Sequence, residues 1–441
     1  MQKKLIALAV ALLGAAAGSA QAQTSVQIYG NLDAGFGYSN HTLSSSPTDG
    51  ATGTYPFANA KGDKSWTGMI NGARSASLLG FRGEEALGNG LKAIFGLETG
   101  FALPTGQVVD FQRTIANQGA AQTTVNGDSS LNGQLFGRQA FVGLSSATLG
   151  TIKIGRNYAF GYDILGSYDP QGLSPAFSPF GYYGGYAGGG FTQDQRLDNS
   201  VKYTYANSGF NAGAMFQFGQ QAGSFQAGSE WQLTAGYDAA MWGVQAGYSK
   251  ARDSLLAGPS GLTETLSNGS QIISDTLKVT AADTSALILA GKLKLNPVTL
   301  SLGYERIKTQ NPSNPSYDTT ADITNINGYA VSSISTTAFN NPRKQDMFFG
   351  GAKWDISSNW DLNGAVYYLR QQDYTVGGCP AVLASTCEGH STFYSLTTDY
   401  KFSKRTSLYA GVSYNKLSDG LAVGYLNDSN TFVGTGIRHS F

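Results

Sequence analysis

The 441-residue sequence predicts an all-β chain, a sixteen-stranded antiparallel transmembrane β-barrel. Three observations carry this. Apolar and polar residues alternate with period two along much of the chain. The connections between those runs alternate between short turns and long polar stretches. Beyond an apolar leader, no run of about 18 apolar residues could cross a membrane as a helix. A closed barrel is the other structure that satisfies its own backbone inside a bilayer. Composition agrees: charged residues are 13%, against roughly 25% in ordinary soluble domains. The 12% aromatics exclude a disordered chain. Lys+Arg and Asp+Glu are 29 each, which removes the basic bias of a nucleic-acid binder.

The N-terminus reads as a secretory leader. Lys3 and Lys4 are followed by the apolar stretch Leu5 to Ala17, and Ala20-Gln21-Ala22 matches a small-x-small cleavage site. Residues 1–22 are therefore expected to be removed, leaving 23–441 with a net charge of −2.

The strands follow in order. Val26, Ile28, Leu32, Ala34, Phe36 and Tyr38 share one parity, and Gln27, Asn31 and Asp33 the other. Leu91 to Glu98, Ser200 to Tyr205, Phe210 to Gly219, Trp231 to Asp238 and Trp242 to Ser249 alternate in the same way. So do Val298 to Glu305, Tyr394 to Phe402 and Leu408 to Asn415. Two segments, Gln139 to Leu144 and Ala286 to Leu295, are apolar on both parities. Counting segments gives about sixteen, an even number. At about 10 residues each, ~3.3 Å per residue and ~45° tilt, a segment spans roughly 23 Å, close to an outer-membrane apolar band. A soluble sandwich shares the period. Aromatics at segment ends, such as Tyr38, Tyr205, Trp231, Trp242, Tyr304 and Tyr414, favour membrane girdles instead.

Short turns lie at Leu87 to Gly90, Asn207 to Gly209, Asn296-Pro297 and Ser357 to Asn359. Long polar stretches lie near 40–73, 103–134, 159–195, 253–284, 311–343, 374–391 and 418–430. Within 374–391, Cys379 and Cys387 are eight apart, and in an oxidising compartment a disulfide is the default. The histidines His41, His390 and His439 are scattered, so a metal centre lacks ligands. No G-x-S-x-G, G-x-x-x-x-G-K-[ST] or H-E-x-x-H motif occurs, and no enzyme is expected.

Seven short markers, in order, resemble the trimeric general porins of Gram-negative bacteria, in their β-proteobacterial type. They are Ser25 to Gly30, Leu79 to Glu85, Gly90 to Phe95, Phe136 to Leu144, Gly155 to Tyr158, Arg196 to Tyr203 and the closing Gly436 to Phe441. The resemblance covers essentially the whole mature chain. It implies a homotrimer in the outer membrane, among outer-membrane lipid and lipopolysaccharide. It also implies a water-filled channel passing ions and small hydrophilic solutes without a cofactor.

In that family the third long loop, here 159–195, folds into the barrel and faces a ladder of arginines. The loop carries Asp163 and Asp169, with Asp194 at its exit. Matching wall positions are Arg138 and Arg196. Arg82 shares a strand with another family arginine position that is itself Leu78 here, and Arg74, two steps along on the same face, substitutes for it. This departure weakens the case for strong anion selectivity. Lys202 shares parity with Arg196 and is expected in the lumen, while Arg156 has the parity of Ile152 and Ile154 and is placed at a strand end. Independently of any family, an Arg or Lys facing lipid at mid-depth costs about 2–4 kcal/mol, so these charges belong on the water-filled face. An alternative is a channel specific for a sugar or organic anion. It would use the aromatics crowding the loop, from Tyr158, Phe160 and Tyr162 to Tyr182, Tyr183 and Tyr186.

Overall fold

The computed structural model describes residues 25–42, 63–106, 108, 135–183, 195–220, 222–259, 263–265, 271–273, 276–314, 330–423 and 425–441. The expected leader, Asp194, Tyr186, most of 103–134 and residues 315–329 lie outside them. The strands are β1 (Ser25–Thr42), β2 (Lys64–Ile70), β3 (Leu78–Gly88), β4 (Leu91–Gly100), β5 (Gln139–Ser146), β6 (Gly150–Tyr158) and β7 (Arg196–Asn207). They continue as β8 (Phe210–Gln217), β9 (Glu230–Asp238), β10 (Trp242–Pro259), β11 (Thr263–Thr265), β12 (Gln271–Ile273), β13 (Thr276–Lys294) and β14 (Val298–Gln310). The last are β15 (Ala330–Ser335), β16 (Arg343–Asp355), β17 (Trp360–Gln371), β18 (Gly389–Lys401), β19 (Thr406–Asp419) and β20 (Ser429–Ser440). Two helices, α1 (Phe160–Tyr168) and α2 (Pro179–Tyr183), lie between β6 and β7.

Each wall strand pairs antiparallel with the next, and β20 returns to β1 from Asn31↔Ser440 to Ser39↔Phe432. β2 and β3 share one wall position. The near half of β1 pairs with β3 (Ser25↔Glu84 to Asn31↔Leu78), and its far half pairs with β2 (Gly35↔Ile70 to Thr42↔Lys64). Among the described residues the closed ring therefore has sixteen positions. β15 lies outside it, parallel to β13, and β11 and β12 form a small separate hairpin. The chain end is tied down as well: the Phe441 N–H donates to the Gly30 carbonyl and the Gly30 N–H to that of Phe441, both at 3.1 Å.

Alternation sorts the two faces of the wall. Val366 and Tyr368 are 45% and 37% exposed, whereas Tyr367 between them is 1% exposed. The exposed apolar set, including Val26, Ile28, Val142, Ile154, Leu233 and Leu302, therefore points outward. Aromatic pairs fringe this band near the short turns (Tyr237–Trp242, Tyr400–Phe402) and toward the long-loop end (Trp231–Tyr248, Tyr304–Phe348). Such girdles sit where the apolar core meets headgroups.

Three expectations change. The 253–284 stretch is largely strand: β10 and β13 stay paired out to Pro259↔Leu277. Alternation marks a strand only where one face must be apolar, so it does not mark these extensions, which the backbone still pairs. The 40–73 stretch is likewise shortened by β2. Arg156 is not set by the parity of Ile152 and Ile154. A register shift between Gly155 and Asn157 turns the chain there, with Gly155 at φ +132°, a conformation that favours glycine. Arg156 is buried, donates from Nε to the Gly137 carbonyl at 2.7 Å and binds Asp198.

Candidate functional site

The same shift carries Tyr158 to the inward side and leads the chain into α1. Phe160, Ile164, Leu165 and Tyr168 form its buried face, at helical spacing. Glycines in the wall make room for them. A Cβ at Gly213 would lie 2.3 Å from the Phe160 ring, and one at Gly247 2.5 Å from Ile164 Cδ1. The Phe160 N–H donates to Gln232 Oε1 at 2.7 Å, which fixes the start of the helix.

Beyond α1 the chain crosses to the opposite inner wall. Gln171 Nε2 donates to the Asn363 carbonyl at 3.2 Å, Thr397 Oγ1 donates to Gln171 Oε1 at 2.9 Å, and Ser413 Oγ donates to the Ala176 carbonyl at 2.9 Å. Phe177 is fully buried over Gly411, where a Cβ would sit 2.7 Å from its ring. Phe180 meets Phe349 and Tyr367 edge-on, at 5.1 and 5.7 Å. These rings join Ile288, Met347, Leu369, Phe393 and Phe432 in an apolar core inside the barrel.

The interruption between β2 and β3 completes the anchor. The Ala73 carbonyl accepts from the Ala176 N–H at 3.0 Å and from Ser174 Oγ at 2.7 Å. Asp33 holds the interruption itself, accepting from the Ser75 N–H at 2.7 Å and the Tyr409 hydroxyl at 2.7 Å.

On the other side of the lumen stands a charged wall. Arg138 Nε donates to Glu98 Oε1 at 2.5 Å, and both are buried. The Tyr29 hydroxyl donates to Glu98 Oε2 at 2.9 Å, and the Tyr158 hydroxyl donates to the same carboxylate. Tyr158 stacks on Tyr162 of α1, centroids 4.5 Å apart. Arg196 lies over both rings, at 5.3 and 6.0 Å. Lys202 Nζ reaches Asp163 Oδ2 at 2.5 Å and the Tyr158 carbonyl at 2.7 Å. Arg138, Arg196, Tyr162 and Leu173 are among the residues lining a cavity of about 330 Å³ between this wall and the inner segment.

Of the residues singled out in the sequence, the fold brings Arg138, Arg196, Lys202 and Asp163 together. Arg82 joins the same run at one remove, its guanidinium 5.0 Å from the Tyr29 ring centroid and its Nε bonded to Gln27. Arg74 is on the opposite side, donating to Asp399 at 3.1 Å and to the Gln171 carbonyl at 2.6 Å. There it tethers the inner segment. Asp169 does not face the arginines. It is buried, accepts from the Tyr367 hydroxyl and takes the Leu173 N–H at 2.7 Å. Burial pushes its carboxyl above the usual carboxylate range, and those hydrogen bonds only partly offset this. Cys379 and Cys387 are joined, Cα atoms 5.4 Å apart, in the connection between β17 and β18. Glu98, Asp33 and Asp399 were not singled out in the sequence. Parity gives Glu98 an inward face, but its pairing follows from the register Glu98↔Gln139.

A model of the family described as Gram-negative porin matches residues 7–420. The chain is 28% identical over 469 aligned positions to an outer membrane porin protein of Bordetella pertussis, covering all of both chains. It is 31% identical to outer membrane porin protein 32 of Delftia acidovorans over 54% of this chain and 56% of that one. Among solved structures, the anion-selective porin from Comamonas acidovorans is similar in fold (TM-score 0.63, 21% identity), covering 95% of this chain and 100% of that one. The OmpT outer membrane protein of Vibrio cholerae is likewise similar (TM-score 0.58, 14% identity; 95% and 98% covered). With a closed sixteen-position barrel, an apolar outer face and a charged lumen, the chain belongs to the Gram-negative porin family, a channel of the outer membrane for passive diffusion rather than an enzyme.

Proposed function

We propose that solutes cross the barrel between the 159–183 segment and the charged wall, and that this wall sets the selectivity. One observation carries the reading: Arg138, Arg196 and Lys202 converge with Asp163 around the stacked tyrosines, beside a cavity that Arg138 and Arg196 line. Charges held across a narrow gap make a transverse field that orients dipolar solutes and disfavours apolar ones. Along this wall Arg82, Arg138, Lys153, Arg196 and Lys202 stand against Glu98 and Asp163. The balance is a modest cationic excess, and the pore prefers small anions. The test is the reversal potential of purified protein in a planar bilayer under a KCl gradient. Its sign is expected to favour chloride, with Arg196→Gln moving it toward potassium. A potassium preference untouched by that substitution would overturn the reading.

A solute-specific aromatic pathway has less support. Phe160, Tyr168, Phe177 and Phe180 are at most 4% exposed and are used in packing the segment to the wall.

The same proposal takes the mature chain to begin after Ala22 and to assemble as a homotrimer. Phosphorylated outer-membrane lipid, lipopolysaccharide included, would surround its free faces. Support for the lipid comes from the outward row Arg306, Arg370 and Lys416 just beyond Tyr304, Tyr368 and Tyr414, each paired with a carboxylate (Asp346, Glu388 and Asp428) that a divalent cation could bridge to lipid phosphate.

A further inference from the structure

A second cavity, of about 500 Å³, lies beside α1 at the short-turn end of the barrel. That is within the ~300–1,000 Å³ range of small-molecule sites. On one side α1 offers Asp163 and Tyr168, and on the other the inward wall offers Asn211, Asp238, Gln245 and Lys292.

The polar groups here are held in place. The Tyr168 hydroxyl donates to Asp238 Oδ1 at 3.3 Å, and Asn211 Nδ2 donates to Oδ2 at 3.2 Å. Burial, then the Asp238 charge, pushes the Tyr168 hydroxyl up to about 12, so it remains a donor at neutral pH. The Lys292 ammonium rests 4.7 Å from the Tyr168 ring centroid. Lys292 Nζ and Asp238 Oδ1 are 4.0 Å apart, wider than the ~2.7–2.9 Å of a charge-assisted hydrogen bond. Both are partly open to solvent, at 23% and 49% of the side chain. The ammonium and the carboxylate thus form a loose ion pair without a direct hydrogen bond, and each keeps bonding capacity toward the cavity.

A glycine creates this convergence. A Cβ at Gly243 would lie 2.5 Å from Asp238 Oδ1, 3.0 Å from the Tyr168 hydroxyl and 3.4 Å from Lys292 Cε. Any larger residue there would push the three groups apart.

We propose that this cavity is a binding station for small zwitterionic solutes of the amino-acid class, with the solute carboxylate on Lys292 and its ammonium on Asp238. The charge pattern selects that class. A simple anion leaves Asp238 unanswered, a simple cation leaves Lys292 unanswered, and a neutral sugar leaves both, while Asp163 is already paired with Lys202. The proposal rests on the pore reading, because the solute reaches the station through the channel.

The experiment uses the full mature protein in a planar bilayer in KCl, with glutamine as the probe. Glutamine is expected to produce a saturable reduction and excess noise in the open-channel current, half-maximal in the millimolar range. Acetate, methylammonium and glucose at equal concentration should produce neither. Lys292→Met and Asp238→Asn should each raise the half-saturating concentration about tenfold or more while the current without solute is retained. Gly243→Ala should act in the same direction. A normal current with no saturable glutamine effect, one unchanged in both charge variants, or saturation by glucose alone would overturn the station. No current at all would count against the pore reading instead. Equilibrium dialysis of glutamine against detergent-folded protein and the Lys292→Met variant then decides the station on its own.

Discussion

Two stretches of one inner wall are built from opposite chemistry. From β13 round to β20 the inward positions include Ile288, Met347, Phe349, Tyr367 and Phe393, all at most 5% exposed. From β3 to β7 they include Arg82, Glu98, Arg138, Lys153 and Lys202. Strand geometry and pairing are the same in both. The difference is what each is matched to: the first stretch takes the rings of the 159–183 segment, whereas the second pairs its buried charges with one another, with Asp163 and with the tyrosines Tyr158 and Tyr162. An inward position in a barrel is therefore not polar by rule. It is apolar where rings of the inner segment dock on it, and it carries a buried charge where an opposite charge or a hydroxyl is held within reach.

The comparison breaks most directly at the apolar wall. Phe177→Ala removes a fully buried ring and is expected to weaken docking by about 3–5 kcal/mol. Larger, noisier single-channel conductance and new protease cleavage within 159–183 should accompany it. An unchanged conductance would mean the segment is held by hydrogen bonds alone.

At the charged wall the expectation differs in kind. Arg138→Ala leaves buried Glu98 without its cation and should destabilise the barrel by about 3–5 kcal/mol. Adding Glu98→Gln should recover part of the loss, read as the midpoint of thermal unfolding in detergent. Arg196→Gln should change the reversal potential with little effect on that midpoint. If both variants moved only stability, the wall would be structural rather than selective.

A smaller effect links the anchor to pH. The Asp169 carboxyl is raised by burial, so the folded chain holds that proton more tightly than the unfolded chain. Docking is favoured below the raised value and weakens as pH rises through it. Protection of 159–183 from protease should fall across that window, and Asp169→Asn should flatten the dependence. Tyr367→Phe removes a donor from the same buried carboxylate, for about 1–3 kcal/mol.

The smallest change in conductance is expected at the surface. Reducing Cys379–Cys387 opens a short loop, on the order of 2–3 kcal/mol in chain entropy. It should lower the unfolding midpoint slightly and leave conductance unaltered. A conductance change would tie this connection to the pore.

The two segments whose sequence is apolar on both parities illustrate what was legible. Ala286 to Leu295 is ambiguous as sequence because its inward residues Ile288 and Ala290 pack in the core inside the barrel while Leu289 and Leu293 face outward. In Gln139 to Leu144, Phe141 points inward, with the Lys153 ammonium 4.3 Å from its ring centroid. In both cases the alternation is physically present, but the inner face is covered, by the distant inner segment in the first and by the neighbouring strand in the second.

The sequence by itself determined most strands within the apolar band and which parity meets lipid. Those properties are local, because parity needs only a residue's immediate neighbours and the cost of a charge in hydrocarbon. Only the tertiary structure decided the partners. A bulge at Gly155 turned Arg156 and Tyr158. The register between β4 and β5 gave Arg138 to Glu98. Docking across the barrel buried Asp169 against Tyr367 and drew Arg74 to Asp399. Each of these pairs residues that are distant in the chain, and their approach is fixed by the summed register of the strands between them, which no local pattern encodes.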